Sequence, residues 1–130
     1  MTQAHDDDPA LARRRQAYAF GLRAETVAVL YLRLKGWRVV ARRFLARGGE
    51  IDIVALRGDV LAFVEVKARP TLDEARCAIT PRKARRMSVA ARAFISRHAW
   101  AMGKTWRGDA VFLAPRRWPR HAPGAVDLDL

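Results

Sequence analysis

The chain is poor in cysteine, with Cys77 alone among 130 residues. A lone thiol closes no internal disulfide and builds no thiolate metal cage. Its scarcity also favours the reducing cytoplasm over a secreted, cross-linked fold. Long apolar runs are missing too, because Arg or Lys interrupts each of them before the length of a membrane span. The polar start, Met1 to Pro9 with Asp6, Asp7 and Asp8, lacks the basic-then-apolar order of a secretory signal. His5, His98 and His121 are scattered without metal-ligand spacing, and His98 is placed to meet a helix end. There is no internal repeat and no long low-complexity segment.

Acid is also in deficit. Asp and Glu total 13 against 25 Lys and Arg, leaving a net charge of +12. That imbalance calls for a polyanionic partner, and nucleic acid is the commonest; an anionic membrane surface is the alternative. Most of the bases are Arg, whose planar fork suits phosphate. Hydrophobic residues make up 51% of the chain, enough for one folded domain with a modest core.

The periodicity predicts a helix from about Pro9 to Lys35, with Tyr18, Leu22, Glu25, Val29 and Leu32 on one stripe and Gly36 as its stop. Three strands follow, over Trp37–Leu45, Glu50–Leu56 and Val60–Lys67, separated by Arg47-Gly48-Gly49 and Arg57-Gly58-Asp59. Residues 68–79 read as a looser connection broken by Pro70. Thr80-Pro81 then reads as a cap and first helical position for a helix to about Trp100, with Met87, Ala90 and Phe94 inward. A strand is expected over Arg107–Ala114, a basic proline-rich loop over Pro115–Pro123, and a short edge strand or ordered tail over Ala125–Leu130. The order α-β-β-β-α-β implies an α/β fold whose second helix crosses to a parallel strand. The divisions are a disordered lead (1–9), a domain (10–114) and a basic extension (115–130).

Asp52 stands inside the apolar run Glu50-Ile51-Asp52-Ile53-Val54, and Glu65 and Lys67 stand inside Phe63-Val64-Glu65-Val66-Lys67. Burying charges in strands costs several kcal/mol, roughly, unless they are paired or metal-bound. If Gly58-Asp59 is a two-residue turn, Arg57 pairs with Val60 and Asp52 falls opposite Glu65, about 5 Å away on the same face. Lys67, two residues on, shares that face. A three-residue turn would instead pair Asp52 with Val64 and send Glu65 to the other side. The cluster suits a hard cation, Mg²⁺ or Mn²⁺, held by Asp52, Glu65 and the Val66 carbonyl, with Lys67 orienting water or stabilising negative charge. The competing reading is a cross-strand ion pair that stabilises the hairpin. Glu25 occupies an apolar position of the first helix and either sits at the edge of the buried face or reaches the site. Lys83 aligns with Met87, Ala90 and Phe94 and either contacts phosphate in the same cleft or snorkels. Glu50 should project to the Asp52 side.

Asp52 followed by Glu65-Val66-Lys67 resembles the PD-(D/E)XK nuclease pattern. More narrowly, the chain resembles the YraN family of small bacterial proteins, related in fold to archaeal Holliday junction resolvases. The matching segments are Ala24-Glu25 with Ala28, Tyr31-Leu32 and Lys35-Gly36-Trp37; Gly49-Glu50-Ile51-Asp52-Ile53-Val54-Ala55; and Phe63-Val64-Glu65-Val66-Lys67-Ala68-Arg69. Weaker matches run through Lys83 and Ala90-Ala91 to Asp109-Ala110-Val111. The resemblance implies a restriction-endonuclease-like core, with a central mixed sheet flanked by helices. It implies Glu25, Asp52, Glu65 and Lys67 as active-site residues, and a metal-dependent nuclease activity on branched or damaged DNA. The sequence departs from the family in carrying Arg42-Arg43 where the family often has Arg-Asn, and in having no glycine over Thr71–Ala78.

Lys83, Arg82, Arg86, Arg43 and Arg69 are the candidate nucleic-acid contacts. Arg116, Arg117 and Arg120 flank Trp118, so that loop either grips phosphate and stacks on an unpaired base or forms a solvated charged face with the indole packed on proline. The enzyme reading competes with two others: a binding protein that keeps the nuclease fold without the chemistry, and a basic module that docks on RNA. A homodimer fits cleavage of two strands, although no sequence feature requires one.

Overall fold

The computed structural model describes residues 8–130, apart from the side chains of residues 16–22. Most of the expected lead, and the stripe positions Tyr18 and Leu22, lie outside that description. Helix α1 spans Pro9–Leu34, strands β1, β2 and β3 span Arg38–Ala46, Gly49–Arg57 and Val60–Ala68, and helices α2 and α3 span Leu72–Cys77 and Pro81–Arg97. A 3₁₀ turn over Ala99–Gly103 leads to β4 (Thr105–Leu113) and β5 (Arg120–Val126). The architecture is mixed α/β, with one five-stranded sheet in the order β1-β2-β3-β4-β5, and is compatible with a restriction-endonuclease-like core. β1, β2 and β3 form an antiparallel meander, β4 runs parallel to β3, and β5 returns antiparallel along β4.

Local chemistry sets the helix starts. Asp8 Oδ1 accepts the Ala10 N–H with Pro9 at the first helical position, and Thr80 Oγ1 accepts the Lys83 N–H with Pro81 in the same role. Gly36, at φ +90°, takes the left-handed conformation that closes the end of α1. Helices cover both sheet faces. Ala24, Ala28, Val29 and Leu32 of α1 pack on Ile53, Ala55, Ala62 and Val64, whereas Ala90, Ala91, Phe94 and Ile95 of α3 pack on Val54, Leu61 and Phe63. Val64 and Phe63 alternate along β3, so the two clusters lie on opposite sides.

Three expectations need correction. The connection over 68–79 contains helix α2, capped by Thr71 Oγ1 on the Glu74 N–H. Helix α3 ends at Arg97, short of Trp100, where the His98 ring nitrogen Nδ1 meets the Phe94 carbonyl oxygen at 2.8 Å. The last strand is Arg120–Val126, reaching into the segment expected to be a loop and stopping before Asp127. It is an edge strand whose ladder shifts register between Gly108 and Ala110, so Pro123 is accommodated without a full set of main-chain hydrogen bonds.

The β1–β2 hairpin tip lies directly on α3. A Cβ added to Gly49 would stand 2.0 Å from the Arg86 carbonyl oxygen and 3.1 Å from the Ala90 nitrogen. Both are main-chain atoms, so relief requires the hairpin to lift. Gly49→Ala is expected to destabilise the fold by roughly 1–3 kcal/mol, as overpacking does. Urea unfolding of the variant against the parent chain measures this directly.

Candidate active site

The Gly58-Asp59 turn sets the register of β2 on β3. Arg57 pairs with Val60, Leu56 with Leu61, and so on to Ile53 with Val64. Beyond that rung the strands part, and Asp52 Oδ2 accepts the Val66 N–H at 2.8 Å in place of a main-chain acceptor. A strand residue sends its N–H and C=O to the same side, so the Val66 carbonyl faces β2 as well.

What aims Asp52 is a break in side-chain alternation. Ile53 belongs to the α1-side core, yet Ile51 belongs to the α3-side core, although two residues apart should share a face. The neighbouring strand switches at the same level. Arg42 pairs with Ile53 and Phe44 with Ile51, and Phe44 packs on the α3 side. Between them Arg43 takes φ +50°, a left-handed conformation unusual for a residue with a side chain. Arg43 and Asp52 thus occupy one kinked level of the hairpin.

Glu65 follows Leu61 and Phe63 on the α3 face and is 2% exposed. Its Oε1 is 3.4 Å from Lys67 Nζ and its Oε2 is 3.3 Å from Lys83 Nζ, which also lies 3.4 Å from Glu50 Oε1. Glu65 Oε2 is fully enclosed and accepts no well-formed hydrogen bond. Burial, reinforced by the Asp52 charge, pushes the Glu65 carboxyl up to about 7 despite the two lysines. Burial acts downward on Lys83, but Glu65 and Asp52 outweigh it and raise the ammonium.

Asp52, Glu65, Lys67, Lys83 and Glu50 therefore meet on one side of the sheet. Glu25 is buried on α1 with Oε2 3.0 Å from Arg43 Nε and Oε1 3.4 Å from Arg42 Nε. Its contacts are with these arginines and not with Asp52 or Glu65, so it borders the cluster through the kinked level. Arg82 and Arg86 are exposed on α3, and Arg69 is exposed after β3, its Nη1 donating to the Ala68 carbonyl.

The donor set fits a divalent cation in one respect. The enclosed oxygen of Glu65, with its raised pKa and Asp52 beside it, is an anionic site that its surroundings under-compensate. Two carboxylates and a carbonyl match the way Mg²⁺ binds when it keeps several waters. No group of three or more His, Cys, Asp or Glu side chains placed to hold a metal ion together occurs among the described residues.

A further buried carboxylate escaped sequence reasoning. Asp109 on β4 is fully buried; Arg107 Nε and Nη2 donate to it at 2.7 and 2.8 Å, His121 Nε2 lies 2.7 Å away, and the Gly124 N–H donates at 3.0 Å. His121, read as scattered, instead joins β5 to β4. The available signal was Asp109 itself, a carboxylate inside a strand just as Asp52 is. Burial alone would raise its pKa, but the hydrogen bonds from His121 and Arg107 prevail and hold it at about 2. A carboxylate depressed in the folded state stabilises the fold above its unfolded value near 3.8, and that contribution is lost as pH falls toward 2. The shift corresponds to about 2–3 kcal/mol. Thermal unfolding at pH 5 and pH 2.5 should show a steeper acid loss in the parent chain than in Asp109→Asn.

Fold and cluster together define a class: an α/β protein bearing paired carboxylates and lysines under the helix of its parallel crossover. The chain belongs to the family described as "Uncharacterised protein family UPF0102", whose model matches residues 24–113. The UPF0102 protein of Methylobacterium nodulans is 63% identical over 123 residues, 95% of each chain. That of Methylorubrum extorquens is 58% identical over 118 residues, 91% of this chain and 92% of the relative. One from Rhodopseudomonas palustris is 46% identical over 127 residues, 98% of each. No helix among the described residues is long and apolar enough to cross a membrane.

Proposed function

We propose that this protein is a metal-dependent endonuclease of the PD-(D/E)XK type that hydrolyses phosphodiester bonds in DNA, with a preference for branched or damaged substrates. The observation that carries the reading is the buried, under-compensated Glu65 carboxylate of β3 meeting Asp52 from β2 and Lys67 two residues along its own strand. Asp52, Glu65 and the Val66 carbonyl would hold Mg²⁺ or Mn²⁺. When bound, the ion supplies Lewis-acid polarisation of the phosphodiester and makes water a stronger nucleophile at neutral pH.

The protein's own groups do the rest. The Val66 N–H fixes the Asp52 carboxylate through its Oδ2. Lys67, on the same face, stabilises negative charge as it builds on the phosphate oxygens. Lys83 faces the site from α3, and Arg82 and Arg86 on its exposed side neutralise flanking phosphates. Glu25 holds Arg43 at the kinked level opposite Asp52. The net charge of +12 supports a polyanionic substrate.

A second reading is a DNA- or RNA-binding protein without catalysis. It is favoured by the two ammonium groups that already flank Glu65. Incubation with branched, nicked and linear DNA, with Mg²⁺ or Mn²⁺ and with chelator, separates the two. Metal-dependent cleavage that disappears in Asp52→Asn supports the enzyme; salt-sensitive binding without cleavage supports the alternative.

A further inference from the structure

We propose that a second site, the basic groove under the β4–β5 loop, holds an unpaired nucleotide of single-stranded DNA with its base stacked on Trp118. Trp118 is 83% exposed, the opposite of an indole packed on proline. It borders a groove of about 520 Å³ whose lining includes Tyr31, Lys35, Arg116, Arg117 and Arg120. That volume falls within the range, roughly 300–1,000 Å³, that encloses a small ligand. Among the described residues no acidic side chain lines the groove, and none of these four cations pairs with a carboxylate.

The surface is presented rigidly. The turn after β4 is closed by the Arg117 N–H on the Ala114 carbonyl, Arg116 adopts φ +62°, and Pro115 and Pro119 bracket the segment. Lys35 is held with its ammonium 5.0 Å from the Tyr31 ring centre. Arginines alone would serve any phosphate backbone. A free aromatic face among them selects a base whose own face is uncovered, as in a single strand, a flap or a junction. The groove follows directly on β4, whose residues Ala110 and Phe112 pair with Glu65 and Lys67. The loop therefore leaves the sheet at the end nearer the carboxylate cluster, whereas Tyr31 and Lys35 put the groove itself on the α1 face, opposite the α3 face that carries Glu65. This assignment rests on the nucleic-acid-binding part of the reading above, and not on catalysis.

The test is binding in metal-free buffer of a fluorescein-labelled oligothymidylate and of a duplex of equal length. Trp118→Leu is expected to weaken the single strand roughly ten-fold while leaving the duplex within about two-fold, and Trp118→Phe to retain most of the affinity. Arg117→Gln should lower the salt dependence by about one counterion. Unchanged single-strand binding in Trp118→Leu, or an equal loss for both forms, overturns the proposal. So does Trp118-dependent binding to anionic lipid vesicles with no effect on the oligonucleotide. The outcomes separate from those of the nuclease reading. Cleavage with no Trp118 effect removes only the groove, and a Trp118 effect without cleavage removes only the catalysis.

Discussion

Lys67→Ala and Asp52→Asn are each expected to lower metal-dependent cleavage of DNA by roughly 10²–10³-fold while leaving DNA binding within a few-fold. Lys67 is a single cation among 25 Lys and Arg residues, so its removal barely alters the overall field. Its ammonium is nevertheless close to Glu65 and on the face where a scissile phosphate would sit. Asp52→Asn keeps an oxygen that can accept the Val66 N–H, so the hairpin survives while the anionic charge is lost. Single-turnover cleavage with both variants, alongside filter binding, measures the two effects separately. Full activity in both variants would remove the proposed chemistry from this site.

The second large effect concerns stability. Glu65 has its carboxyl raised in the folded protein from 4.5 to about 7. A carboxyl raised on folding is a liability once it ionises: the fold loses stability as pH climbs from about 4.5 through 7, and the loss is complete above that. The shift corresponds to up to about 3 kcal/mol. Glu65→Gln removes the charge and keeps the shape. In the absence of divalent metal, at pH 8, it should raise the melting temperature by roughly 10 °C and flatten the pH dependence between 5 and 8. Added Mg²⁺ or Mn²⁺ should stabilise the parent chain and leave Glu65→Gln unmoved, because linkage requires a ligand that favours the folded state. A parent chain already as stable at pH 8 as at pH 5 would contradict this account of Glu65.

These expectations were partly written in the sequence. The Gly58-Asp59 turn is local chemistry, and it was enough to fix which residue of β2 faces which residue of β3. It carried that pairing as far as Ile53 with Val64; the directly opposed Asp52–Glu65 pair expected one rung further is not formed, and Asp52 approaches the Glu65 carboxyl from the kinked level instead. The stripe through Met87, Ala90 and Phe94 likewise brought Lys83 to the sheet face that carries Glu65. The kinked level at Arg43 and Asp52 was not legible, because it arises from two strands changing face together. β5 was legible only in part, since a short edge strand or ordered tail was expected over Ala125–Leu130 but Arg120–Pro123 read as loop, and only the irregular edge pairing with β4 makes a strand of them. Helix α2 is six residues long, too short for a period to emerge, although Thr71 and Glu74 carry its cap. Glu25 shows the limit of stripe reasoning: the pattern identified it as out of place, but its arginine partners are set by tertiary packing.

The anchoring of Asp109 has a bearing on what counts as a self-sufficient unit in this family. The matched segment ends at residue 113, yet two of the groups that satisfy this carboxylate, His121 and the Gly124 amide, come from the stretch beyond it. A chain cut at residue 113 would leave an anion stranded against Arg107 and open one flank of the sheet to its neighbours. The family model stops short of these residues although the relatives align across them, over 127 residues in the Rhodopseudomonas palustris protein, and the residues after 113 form the latch that closes the molecule.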